Sequence, residues 1–152
     1  MKTKIYLLGL MVVLFSSCKK DQPIVITTDD YCAAVDTVTG IMVHDIFSPP
    51  VASRIYAYPN IAAYEIIAQN SPKYKSLQGQ LKGLDSIPVL DAKSGVNQKL
   101  AALIAQMEVS KQLVFSEEAL EKYRDSLYKK WSNVNQKEFD VSKEYALKVV
   151  DR

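Results

Sequence analysis

The side chains best suited to chemistry in this sequence are few, and the densest group is His44-Asp45 followed by Ser48. A serine, a histidine and an aspartate are the parts of a nucleophilic hydrolase site, in which a third group must orient the base. Ser48 precedes Pro49, however, and suits the cap of a helix better than the role of a nucleophile. We therefore expect His44 and Asp45 to tie a helix end to the following Pro-Pro turn by hydrogen bonds.

Other kinds of site have equally few candidate residues. His44 is the single histidine, and arginine occurs only at 54, 124 and 152. Zinc and iron sites need several converging ligands, and the adjacent pair Asp29-Asp30 faces different ways on a helix, which favours a capping role. The fingerprints GxGxxG, GxxxxGK[ST], GxSxG and HExxH are absent. The sequence thus predicts no catalytic, cofactor-binding or metal-binding residue in this chain.

Two further reactive side chains have competing interpretations. Cys32 has no neighbouring histidine and no CxxC spacing, so we predict a small buried hydrophobic residue rather than a reactive thiol. Arg54 lies on a mostly apolar segment. It is expected either at the surface end of that segment or buried and paired with a carboxylate such as Asp45.

The first residues of the chain have the composition of a signal peptide. Lys2 and Lys4 precede an uncharged run over residues 5–15. That run is shorter than the ~20 residues of a transmembrane helix but suits the apolar core of a signal peptide. We predict that residues 1–17 are removed from the mature protein.

A lipid-attachment site is predicted directly after this run. Ser16-Ser17-Cys18 resembles the cleavage box of bacterial lipoproteins, in which the cysteine becomes the lipidated N-terminus, so we predict lipidation of Cys18. The alternative is an ordinary signal peptide cut nearby. Lys19 differs from the aspartate that usually retains lipoproteins in the inner membrane. This difference favours a location in the cell envelope at the outer membrane. Residues 18–28 are predicted to form a polar tether and residues 29–152 a helical domain.

Composition excludes several classes of protein. The chain has 152 residues, 48% hydrophobic and 24% charged, which is the size and composition of one globular domain. The formal charge is +2, and residues 1–17 contribute two lysines and no acid, so the mature chain is neutral. Because the charges are scattered, no nucleic-acid partner is expected.

Apolar residues repeat at helical spacing over most of the domain, and the chain is predicted to be an all-α bundle of five or six helices. There is no convincing pair of strands and no internal repeat. The first predicted helix spans about 29–46 and is capped by Thr28, Asp29 or Asp30, and the second spans about 50–69. The third has an apolar stripe from Val96 to Val114. The fourth begins at Ser116, and the fifth begins where Asn135 and Glu138 have capping-box spacing.

The segment at about 50–69 is apolar over most of its circumference, which predicts a central, buried helix. Pro59 should kink this helix, and the alternative is two short helices. Residues 71–95 are rich in proline and glycine. Within them, residues 75–84 are expected to form a short helix and residues 87–90 an extended segment.

Several strings resemble one bacterial family. The string from Val43 to Tyr58, continued by residues 60–65, is similar to the N-terminal helical region of lipoproteins in the vanadium-dependent haloperoxidase and type 2 phosphatidic acid phosphatase (PAP2-like) superfamily. The stretch from Tyr74 to Leu84 and the helix pair around residues 113–116 are similar as well. The resemblance covers residues 30–152.

The resemblance implies an α-helical bundle that binds vanadate or phosphate and has haloperoxidase or acid phosphatase activity. In that family the oxyanion ligands, which are lysine, arginine and two histidines, lie in the C-terminal half of longer chains, and none can be matched here. We therefore expect a lipid-anchored but catalytically incomplete N-terminal portion, truncated or a fragment, whose partner is the missing C-terminal half or a second copy. The alternative is a small complete helical lipoprotein that acts as a partner-binding module.

Overall fold

The computed structural model describes residues 22–84 and 86–152, and within them the chain is all-α, as predicted. The helices are α1 (Thr28–His44), α2 (Pro49–Ala68), α3 (Gln98–Lys111), α4 (Glu117–Val134) and α5 (Gln136–Val150). None of these described helices is long and apolar enough to cross a membrane. The proposed signal peptide and Cys18 lie outside the described residues.

Helix α1 is capped one residue earlier than the sequence suggested. The cap is Thr27, whose hydroxyl accepts the backbone N–H of Asp30 at 3.2 Å, while the Asp30 carboxylate accepts the backbone N–H of Thr27 at 2.9 Å. This reciprocal pair is a capping box, which satisfies two otherwise unpaired donors. Asp30 therefore takes part as the third helical residue, and the prediction of Thr28, Asp29 or Asp30 as the cap was wrong.

Helix α2 is continuous from Pro49 to Ala68, so the alternative of two short helices is wrong. Ser48 occupies the N-cap position as predicted, but its side chain makes no capping hydrogen bond. Pro49 follows it at the first helical position, where a missing N–H costs nothing. Pro59 lies inside the helix and is buried, so its ring contributes to packing.

The central helix of the bundle is α3 rather than α2, which corrects the prediction made from apolar circumference. Every side chain from Leu100 to Met107 is buried, whereas the first half of α2 exposes Val51, Tyr56 and Tyr58. The alanines of α3 explain the difference, because small side chains let neighbouring helices approach from several sides. The core therefore surrounds α3, and α2 covers one of its faces.

The long connection between α2 and α3 has no helix in its described residues, so the expected short helix at 75–84 is wrong; turns occupy this stretch. The expected packing of residues 87–90 is confirmed, since Ile87 and Leu90 are both buried. The side chain of Gln69 fastens this segment to α2: its amide donates to the carbonyl of Pro88 at 2.8 Å, and its oxygen accepts the N–H of Leu90 at 2.9 Å.

The described segment before α1 packs against the last helix. Ile24 and Ile26 are buried in the core, although they fall in the range expected to be a tether. Glu138 accepts the backbone N–H of Ile24 at 2.8 Å and the side-chain amide of Asn97 at 2.8 Å. Asn135 caps α5 as predicted by accepting the N–H of Glu138. The Glu138 carboxylate accepts hydrogen bonds from Ile24 and Asn97 instead of the Asn135 N–H, so only one half of the capping box forms.

Cys32 is exposed, which overturns its prediction as a buried hydrophobic residue. The buried positions of α1 are Ala34, Val38, Ile41 and Met42. Successive helical residues are about 100° apart, so a residue two positions before Ala34 lies on the far side of the helix. Its hydrophobicity alone could not reveal which face of α1 is covered.

Candidate functional site

The end of α1 is bonded to the start of α4 through one carboxylate. Asp45 accepts the backbone N–H of Phe115 at 2.9 Å, the backbone N–H of Ser116 at 3.0 Å and the Ser116 hydroxyl. The hydrogen bond from the Ser116 hydroxyl is the largest cause that lowers the pKa of Asp45 to about 2. An acid placed before the first turn of α4 also interacts favourably with the helix dipole.

His44 stands beside this contact without forming a catalytic relay. Its Nδ1 atom lies 3.2 Å from Asp45 Oδ1 and 3.3 Å from Ser116 Oγ, and its side chain is 79% exposed. Nucleophilic catalysis needs the serine and the aspartate on opposite ring nitrogens, so that one receives a proton while the other orients the ring. One nitrogen facing both groups, with the serine donating directly to the carboxylate, cannot do this.

The predicted partners of His44 and Asp45 need correction. The two residues were expected to fasten the helix end to the Pro-Pro turn, but Asp45 bonds to the start of α4 instead. Ser116 was identified from sequence as a helix opener. Its partner could not be identified, because 71 residues separate Asp45 from Ser116.

The arginines of this region are either solvated or already paired. Arg54 is exposed and forms no ion pair with the residues described, so the surface interpretation is confirmed and pairing with Asp45 is wrong. Arg124 is largely buried, at 3.4 Å from Glu108 and 2.8 Å from Asp125. The same Glu108 accepts the Tyr128 hydroxyl at 2.7 Å, and burial is the main cause of the raised pKa of Tyr128.

These residues do not fit a vanadate or phosphate site. A multiply charged oxyanion needs several converging cations or N–H donors. Across residues 22–84 and 86–152, no three histidine, cysteine or acidic side chains form a metal-binding group. The exposed His44 stands next to a carboxylate, which repels anions, and Arg124 is already neutralised by acids. No step of oxyanion chemistry can be assigned to these side chains.

A concave, mostly apolar surface lies between α2 and the end of α5, with a volume of about 490 Å³. We call it the terminal groove. Its described lining residues are Tyr58, Ile61, Ala62, Glu65, Leu81, Lys82, Gly83, Leu84, Ile87, Val109, Val149, Val150 and Arg152.

The wall of the terminal groove is held by a buried carboxylate on α2. Glu65 is 1% exposed and accepts the Ser76 hydroxyl at 2.6 Å and the Leu77 N–H at 2.7 Å. Burying a carboxylate is costly unless donors satisfy it. Glu65 therefore fixes the start of the loop that continues to Leu81 and the groove wall. The covering loop begins eleven residues later in the sequence, so only the fold shows this burial.

A second groove of about 500 Å³ lies on another side of α2, between the start of α1 and α3. Two of its lining tyrosines have hydroxyls that are already used: Tyr31 donates to the side chain of Asn60 at 2.6 Å, and Tyr64 donates to the carbonyl of Lys75 at 2.8 Å. Burial raises the pKa of Tyr31 to about 12. The hydroxyls of Tyr31 and Tyr64 therefore serve as structural donors.

The chain resembles a helical region of the vanadium-dependent haloperoxidases in sequence and fold. The particular structure it matches is the first bacterial vanadium-dependent iodoperoxidase, with 55% sequence identity and a TM-score of 0.83. The match covers 87% of this chain and 32% of that chain, so the sequence spans about a third of the iodoperoxidase. No family model matches the sequence. No curated protein matches it either.

Proposed function

We propose that this chain is the lipid-anchored N-terminal helical portion of a vanadium-dependent haloperoxidase or PAP2-type phosphatase-like protein, and that its oxyanion ligands lie outside these residues. The observation that carries the proposal is the match at 55% identity over 87% of the chain but 32% of the iodoperoxidase. Arg54, which is exposed, and Arg124, which is paired with acids, agree with it.

In this proposal the chain supplies a scaffold. The buried helix α3 and the helices around it form a core, and vanadate or phosphate would be bound by the other part of the protein. Cys18 would be lipidated, because it follows the small-residue box directly, and Lys19 after it favours an anchor in the outer membrane.

A chimera tests the scaffold role. The matching third of the bacterial iodoperoxidase is replaced by residues 22–152 of this chain, and vanadate-dependent iodide oxidation is measured. Activity in the chimera supports the proposal, because it requires this chain to position the remaining part. A folded chimera that binds vanadate but has no activity would contradict it. The 152-residue chain by itself, assayed in parallel, is expected to be inactive.

A further inference from the structure

The terminal groove is an apolar surface that this chain leaves uncovered, and we propose that it binds an apolar helix, flanked by acidic residues, from the oxyanion-binding part of the protein. This inference rests on the proposed function and names the surface through which the two parts meet.

The floor and rim of the groove are suited to an apolar helix. Val149 and Ile87 are buried at its base, at 4% and 7% exposure. Tyr58 and Leu81 stand at the rim with 50% and 40% of their surface exposed. Contiguous exposed apolar surface of this kind marks interaction sites, and the recurring solution for an apolar groove is an amphipathic helix.

The groove is preformed. Its loop wall is attached to α2 by the two hydrogen bonds that Glu65 accepts from Ser76 and Leu77. Ile87 reaches the base from the segment that Gln69 fastens to α2. A partner that enters a held groove loses less conformational entropy than one that must order the loop first.

Two cations at the groove favour a partner helix with acidic residues beside its apolar face. Lys82 and Arg152 lie at the groove, are exposed, and make no ion pair with any described residue. Glu65 is the one carboxylate among the described lining residues, and its oxygens are occupied by loop donors. Acidic residues beside the apolar face of the incoming helix would therefore find unpaired cations.

The position of the groove favours the remainder of the same protein over a second copy. Val149, Val150 and Arg152 line it, so a chain that continues past Arg152 leaves α5 at this surface. The matched iodoperoxidase has about two thirds of its chain outside the match, which supplies such a segment. In a two-fold dimer the same patch faces itself, which would place Lys82 and Arg152 of one copy against those of the other.

The experiment uses the chimera and a photo-crosslinking amino acid, benzoylphenylalanine. It is placed at Tyr58, on the rim of the groove, or at Tyr56, a matched control on the same helix. Tyr56 is 38% exposed, and its hydroxyl lies 2.8 Å from the Thr39 hydroxyl of α1, away from the groove. Both changes replace one aromatic ring by another. After irradiation, the crosslinked peptides are identified by mass spectrometry.

We expect position 58 to crosslink to the part contributed by the iodoperoxidase and position 56 not to do so. An active chimera in which only position 56 reaches that part, or neither position does, would overturn the docking surface while the proposed function stands. Crosslinks from position 58 to a second copy would also overturn it. An unfolded chimera would contradict both the surface and the proposed function.

A charge-reversal variant provides a second measurement. Lys82→Glu should lower the melting temperature of the chimera and leave that of the 152-residue chain unchanged, because Lys82 makes no ion pair with any described residue of this chain. Equal effects in both proteins would contradict the acidic partner.

Discussion

Asp45 and Ser116 are 71 residues apart in sequence, yet the carboxylate of Asp45 accepts both the backbone N–H and the hydroxyl of Ser116. One acid thereby fastens the end of α1 to the beginning of α4. Phe47 and Phe115 stack beside this contact with their ring centroids 4.7 Å apart. The polar and aromatic contacts together hold the two helix ends in register.

Removing the Ser116 hydroxyl should weaken this connection. Ser116→Ala is expected to lower the free energy of unfolding by about 1 kcal/mol, the usual net value of a hydrogen bond. Chemical denaturation measures it. Ser53→Ala is the control, because the exposed Ser53 hydroxyl bonds only to the Pro50 carbonyl of its own helix. An equal loss of unfolding free energy in both variants would contradict a specific contribution of the α1–α4 connection to stability.

The Asp45 carboxylate should make stability depend on acid pH. Its pKa of about 2 lies below its ordinary value of 3.8, so its contribution is present above pH 4 and is lost as the pH falls towards 2. Asp45→Asn should lower the melting temperature at pH 6 and flatten its fall between pH 4 and pH 2. Asp36→Asn, at an exposed position of α1, should keep the wild-type profile. An unchanged profile in Asp45→Asn would contradict this assignment.

The Glu65 carboxylate should contribute to the stability of the fold and hold the loop after residue 76. Glu65→Ala leaves the Leu77 N–H and the Ser76 hydroxyl without their acceptor, and we expect a loss of about 1–3 kcal/mol. Limited proteolysis should cut the loop after residue 76 faster than in the wild type. Glu144→Ala is the control, since Glu144 is 68% exposed and pairs only with Lys148. A protease-resistant Glu65→Ala loop would contradict the anchoring role.

Lipid attachment is expected at Cys18 alone. Cys18→Ala should abolish incorporation of labelled fatty acid and block processing, because Cys18 directly follows the small-residue box. Cys32→Ala is the matched control, since Cys32 is an exposed free thiol of the folded domain. In membrane fractionation, the wild-type protein with its labelled fatty acid should be recovered with the outer membrane. Fatty acid uptake by the Cys18→Ala variant would contradict the lipoprotein assignment.

The domain on its own should behave as a protein with an uncovered surface. Residues 19–152 are expected to bind a hydrophobic dye or self-associate, and to catalyse neither vanadate-dependent bromide oxidation nor phosphate-ester hydrolysis. Exposed side chains such as Ile46 at 88% and Phe115 at 79% give the dye further contacts. A monomeric domain that binds no dye would favour a complete partner-binding module, and vanadate-dependent turnover would contradict catalytic incompleteness.

Much of the helical organisation could be predicted because it depends on local rules. Periodic apolar residues, the prolines after Ser48 and the cap at Asn135 act within a few residues of chain. Two local predictions were wrong. The described residues of the short helix expected at 75–84 form turns. The cap of α1 is one residue earlier than expected, because Thr27 and Asp30 form a reciprocal pair.

Which side chains are buried, and which residues they contact, was decided by the tertiary structure. Sequence could show that α2 is apolar, but only packing shows that α3, with its alanines, takes the centre while Tyr58 faces solvent. The same reason explains Cys32, which was expected in the core and is exposed.

Sequence determined the residue types available for chemistry: a single histidine, and a cysteine, Cys18, that is predicted to be lipidated. Which acid meets which donor depends on long-range contacts. Asp45 reaches Ser116 across 71 residues, and Glu65 is covered by a loop that begins eleven residues later. Such pairs form only when helix packing brings distant segments together, so they leave no periodic signal in the sequence.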